Sequence, residues 1–184
     1  MKAWQEIIKP TLVLVIVASL TAALLALTYN LAGVAALQNA GYTNDEVAAF
    51  AEEAFPSSGN LELLSYTPAE DDEDIQYVYQ AANGGAALIL NSKGYDASGI
   101  TMMVGVTPDG KAAGVKVIKH NETPGIGDKV CADANYQRSV AASINEGAEP
   151  DVTAGASKSS KGIINGVRRA VEMYGRLKKE GVVQ

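Results

Sequence analysis

The hydrophobic positions of this chain run almost unbroken near the N-terminus, fall into a helical period, then alternate, and finally return to a helical period. From Thr11 to Leu27 nearly every residue is Leu, Val, Ile or Ala, and no charged side chain occurs anywhere in residues 10–44. A run of this kind approaches the roughly 20 residues needed to cross a bilayer, so it predicts a transmembrane helix over residues 10–38. A cleaved signal peptide is the competing reading. It fits less well, because the apolar run exceeds an h-region of about 7 to 15 residues and Gln38 stands where a cut after Ala40 needs a small side chain. Next, "TNDEVAAFAEEAF" reads as a helix with acids in its first turn and Pro56 to stop it. "PSSGN" is a loop, and "PAEDDED", residues 68–74, reads as a solvated acidic turn.

The period then becomes two. "IQYVYQAA", "AALILNS", "GITMMVGVTP" and "KAAGVKVIKH" predict four strands, with Asp109-Gly110 as the hairpin turn between the last pair. "HNETPGIG" is an irregular loop. Helical spacing resumes at about residues 133–147 and again at about 159–180, where Ile163, Ile164, Val167, Val171, Met173 and Leu177 share one face. The fold expected beyond the membrane is α+β: an antiparallel sheet with flanking helices.

Charge orients this arrangement. Lys2 and Lys9 precede the apolar run, and no Lys or Arg follows it until Lys93. The positive-inside bias therefore predicts a single-pass cell-membrane protein with residues 1–9 in the cytoplasm and residues 39–184 as an extracytoplasmic domain. A net charge of −6 and a pI near 4.8 exclude a nucleic-acid partner, which requires a basic face.

Most enzyme chemistries are excluded by what the chain lacks. One histidine, His120, and one cysteine, Cys131, are too few for a zinc site, a disulfide or a thiolate-bound cluster. No G-x-S-x-G elbow, P-loop or G-x-G-x-x-G turn occurs. Two loops remain. One is "ETPGIG"; the other is the helix start "DVTAGASKSS", which carries Thr153, Ser157, Ser159 and Ser160 where an ordinary cap needs one hydroxyl. Free amides and the helix dipole favour an anion there, and Lys158 and Lys161 add positive charge. On physics alone, both a phosphate at Ser157 and a simple helix cap after a glycine turn satisfy this pattern.

"DVTAGASKSSKGIINGV" resembles the flavinylation motif of the FMN-binding domain family, and "GYDASGITMMVGVTPDGKAAGVKVIKHNETPGIGDKV" resembles the hairpin and H-x-E-T-P-G-x-G loop of that family. With the N-terminal anchor, the likeness extends to the G subunits of Rnf electron-transport complexes. It implies a covalent FMN whose phosphate is esterified to Ser157, installed from FAD by a separate flavin transferase. Asp151, Gly155 and Ala156 match the rest of the motif, and Lys158 and Ser160 follow the acceptor. Ala154 stands where the family usually has Ser or Thr, which leaves Thr153 as a rival acceptor. Glu122, Thr123, Gly125, Ile126 and Gly127 are the expected wall of the site, whereas His120 reads as a loop histidine and Cys131 as a small buried side chain. No residue is expected to be catalytic, and none to bind metal.

The implied role is an electron carrier, a subunit of a complex coupling ferredoxin:NAD oxidoreduction to Na⁺ or H⁺ translocation, with the other Rnf subunits and the membrane as partners. The C subunit of Na⁺-translocating NADH:quinone reductase is the alternative within the family. An anchored sensor or binding module without covalent flavin is the alternative from another class.

Overall fold

In the computed structural model the described residues are 11–19, 21, 41–66 and 72–183. The chain divides into two units, Met1–Thr43 and Asn44–Gln184. In the first, residues 11–19 and 21 are helical; the rest of the expected span over 10–38 lies outside the described residues. Among the described residues no helix is long and apolar enough to cross a membrane.

The second unit runs α1 (Asn44–Ala54), β1 (Leu61–Leu63), β2 (Ile75–Ala81), β3 (Ala86–Ser92), β4 (Ile100–Val106), β5 (Ala112–His120), α2 (Gly127–Ala132), α3 (Ala134–Asn145) and α4 (Ser157–Lys179). The strands form one antiparallel meander in sequence order. Each turn joins neighbours, as short connections between antiparallel strands require. At 107–111 the chain reverses with Gly110 at φ 78°, and the Thr107 amide donates to Lys111 O at 2.9 Å, closing the hairpin expected at Asp109-Gly110.

Every residue of β4 is buried, because both faces of the sheet are covered. On one face, Ile100, Met102, Val104 and Val106 join Leu88, Leu90, Val115 and Val117 in a core with Ile163, Val167, Ala170, Met173 and Leu177 of α4. On the other face α1 lies close against the sheet at the paired residues Gly105 and Gly114, where a Cβ atom would come within 2.6 Å and 2.8 Å of Ala54 O. That approach requires glycine.

One expectation needs correcting, and two short elements were not foreseen. The acidic run is not a solvated turn in its described part, since Asp72 is 1% exposed. Its carboxylate accepts from Tyr66 Oη at 3.0 Å, Arg169 at 2.5 Å and Arg176. Asp74 adds a second acceptor for Arg169 at 3.0 Å. Local sequence could not show this, because both arginines lie on α4, more than ninety residues away. Further, the segment after "HNETPGIG" is a short helix, α2, and a three-residue edge strand, β1, pairs with β2.

Candidate functional site

Both singled-out loops are built on the same local device. In 123–126, Pro124 and Gly125 occupy the centre of a turn closed by the Ile126 amide on Thr123 O at 3.1 Å, with Gly125 at φ 76°. In 153–156, Ala154 and Gly155 do the same, closed by the Ala156 amide on Thr153 O at 3.0 Å, with Gly155 at φ 83°. A positive φ at the third position is the signature of a type II turn and favours glycine there. Neither glycine has an atom within 4 Å of its would-be Cβ, so both are required by conformation and not by crowding.

These turns lie on the rim of one cavity of about 420 Å³, a size ordinary for small-molecule sites. Its wall is formed by Glu122, Thr123, Ile126 and Gly127 from one loop, by Gly155, Ala156, Ser157, Lys158 and Ser159 from the start of α4, and by Tyr95 from the β3–β4 loop. Sequence separates the two main contributors by residues 128–154; the helices α2 and α3 fold most of that intervening chain away. Of the expected site residues, Asp151, Ser160 and Gly125 do not line the cavity. Asp151 is exposed and its carbonyl accepts from Tyr136 Oη at 2.9 Å.

The four hydroxyls are sorted into different tasks. The N-cap of α4 is Ala156, and no side chain caps the helix, so none of them does the ordinary job. Ser160 Oγ accepts from the Thr153 amide at 3.2 Å and thereby braces the turn. Ser159 is buried and donates to Glu122 Oε2 at 2.5 Å. Thr153 is exposed and outside the cavity wall. Ser157 is exposed, lies on the wall, and engages no side-chain partner among the described residues.

The remaining groups on the wall are of two kinds. At the start of α4 are amides without a side-chain cap, the Ser157 hydroxyl and Lys158, an environment for an anion. Beside them are two apolar groups, Ile126, 51% exposed, and Tyr95, 65% exposed, whose ring lies 5.1 Å from the Lys158 ammonium. An organic phosphate with an apolar, planar body fits such a site. Tyr95 was not among the expected residues; an exposed aromatic in a loop beginning "KGYDASG" carries no periodic signal. His120 ends β5 and its Nδ1 accepts from the Glu122 amide at 3.3 Å, which makes it a loop-shaping residue. Burial and the negative charges of Glu122 and Asp128 push the Cys131 thiol up to about 12, so it stays a neutral, unreactive side chain. Among the described residues no group of three or more His, Cys, Asp or Glu could hold a metal ion.

Residues 94–172 match the FMN-binding domain. The match includes both turns and every residue of the cavity wall. The chain is also similar to the G subunit of the Na⁺-translocating ferredoxin:NAD⁺ oxidoreductase complex of Acetobacterium woodii, at 28% identity across 96% of this chain and 95% of that one. It is 33% identical to the G subunit of the proton-translocating ferredoxin:NAD⁺ oxidoreductase complex of Clostridium ljungdahlii, over 52% of this chain and 57% of that one. With the G subunit of the ion-translocating oxidoreductase complex of Cereibacter sphaeroides it shares 42% identity over 35% of this chain and 31% of that one. It thus spans nearly the whole of the first relative and part of the other two.

Proposed function

We propose that this chain is the FMN-bearing electron-carrier subunit of an ion-translocating ferredoxin:NAD oxidoreductase complex, with FMN joined through its phosphate to Ser157. The observation that carries the reading is the convergence of the E-T-P-G-I-G loop and the T-A-G-A-S helix start on one cavity, with an exposed serine on its wall. The family match and the names of the relatives support the same conclusion. Bound FMN supplies one- and two-electron chemistry, which no side chain of this domain offers.

Each part of the site then has a task. Ser157 Oγ attacks the phosphorus on the riboflavin side of FAD, held by a flavin transferase. The new O–P bond forms as the bridging P–O bond breaks, AMP leaves with that electron pair, and the serine proton passes to a base of the transferase. Lys158 and the uncapped amides of α4 would hold the phosphoester's negative charge. Tyr95 and Ile126 would offer apolar surface to the ring. The ester fixes occupancy, as an intramolecular link keeps the group at high effective concentration, and the loop walls fix position. The tandem of Lys2 and Lys9 supports a cytoplasmic N-terminus and an outer-face domain; protease added from the cytoplasmic face should spare the domain, and cleavage there would reverse the topology.

In-gel flavin fluorescence after denaturation tests the tether. Ser157→Ala should abolish the signal, because alanine has no oxygen to esterify, while Thr153→Ala keeps it. A fluorescent Ser157→Ala chain would move the acceptor elsewhere. A wild-type chain that loses its flavin on denaturation, despite expression with the transferase, would favour the sensor or binding-module reading.

A further inference from the structure

We propose that Glu122 is the positioning residue that decides which hydroxyl is modified: it fixes the first turn of α4 and withholds Ser159 from the transferase. The inference rests on the reading of Ser157 as acceptor and extends it to the selection of that acceptor. Glu122 is only 4% exposed, yet its carboxylate ties two distant parts of the chain to its own loop. Oε1 accepts from the amides of Tyr95 at 2.9 Å and Asp96 at 3.2 Å. Oε2 accepts from the Ser159 hydroxyl at 2.5 Å. Two glycines close the space around it: a Cβ on Gly94 would lie 2.2 Å from Oε1, and one on Gly127 would lie 2.6 Å from Oε2. The carboxylate therefore has little room to shift without giving up its donors, and charge-assisted bonds of this kind are the strong ones.

The consequence falls on the serines. Residues two apart on an α-helix point about 200° away from each other. With Ser159 held inward on Glu122, Ser157 is turned outward to the cavity mouth. Ser159 is 2% exposed and Ser160 is fully buried, whereas Ser157 is exposed, so the transferase meets one first-turn hydroxyl. The ester step is the one given above: Ser157 Oγ gains the FMN phosphorus, the pyrophosphate bridge of FAD breaks, AMP departs, and the proton goes to the transferase. Without the carboxylate, Ser159 would lose its inward anchor and the amides of Tyr95 and Asp96 would lose their acceptor.

Full-length wild type, Glu122→Ala, Glu122→Gln and Ser159→Ala should be expressed with a flavin transferase and FAD. Attachment rate, acceptor site by peptide mapping, and thermal melting are then measured on each. Glu122→Ala should slow attachment at Ser157 about tenfold or more, the loss expected for bonds to a charged acceptor, and should place part of the flavin on Ser159. Glu122→Gln keeps an oxygen for the two amides and a carboxamide for Ser159, and should stay within about threefold of wild type. Ser159→Ala, which breaks only the helix bond, should slow attachment about threefold and serves if Glu122→Ala does not fold. A folded Glu122→Ala chain, or in its place a folded Ser159→Ala chain, that is modified on Ser157 alone at the wild-type rate would overturn the proposal. So would a Glu122→Gln chain as slow as Glu122→Ala, since charge and not position would then govern the step. Flavin mapped in wild type to a residue other than Ser157 would remove the acceptor reading itself, whatever the Glu122 variants do.

Discussion

At Gly127 the cavity loop passes so near α4 that a Cβ atom would lie 2.4 Å from Ser159 Oγ and 2.6 Å from Glu122 Oε2. Both neighbours are locked to each other by the 2.5 Å hydrogen bond, so neither can yield cheaply. Gly127→Ala should therefore destabilise the domain by about 1–3 kcal/mol, the usual cost of overpacking, and should also cut flavin attachment. Gly125→Ala is the informative comparison, with open space around it and only the φ of 76° to strain; it should cost about 1 kcal/mol and leave attachment nearly intact. Thermal melting and flavin yield of the two variants check this, and an attachment loss equal in both would contradict it. At this scale the motif loops were legible because their Gly, Pro and Ser types are tied to turn chemistry. The partnership of Glu122 with Ser159 and Tyr95 was not, since nothing local in "HNETPGIG" names residues on two other segments.

Among the elements, α4 does two jobs at its two ends. Its N-terminus carries part of the cavity wall, and its C-terminal half holds Asp72 and Asp74 through Arg169 and Arg176. Burial pushes the Asp72 carboxyl up, but hydrogen bonds from Tyr66, Arg169 and Arg176 and the charge of Arg176 outweigh it and hold the group below the ordinary carboxylate value. A carboxyl lowered in the fold stabilises it above the unfolded value, near pH 4, and loses that contribution as pH falls through the lower folded value. Asp72→Asn should thus lower Tm by about 5 °C at pH 7, on the order of 1–2 kcal/mol for a domain of this size. The gap to wild type should shrink below about pH 4. A gap that stays constant from pH 7 to pH 3 in thermal melts would remove the ion cluster from the account. The strands were legible within a residue or two because short apolar and β-branched runs bounded by turn residues, with a glycine turn between the last pair, specify them locally. The edge strand β1 was not, for three residues carry no period and its existence depends on pairing with β2. The helix α2 is equally short and follows a turn-rich segment that reads as loop.

At the scale of the whole molecule, an acidic domain places one cavity at the junction of a sheet-end loop, a helix start and the β3–β4 loop. The central claim is that Ser157 carries FMN as a phosphoester and that this makes the chain an electron carrier. Peptide mass mapping of the protein purified from its native cells tests it most directly. The peptide containing Ser157 should be heavier by one FMN less one water, with the fragment ions placing the added mass on Ser157. An unmodified Ser157 peptide from cells that contain an active flavin transferase would contradict it.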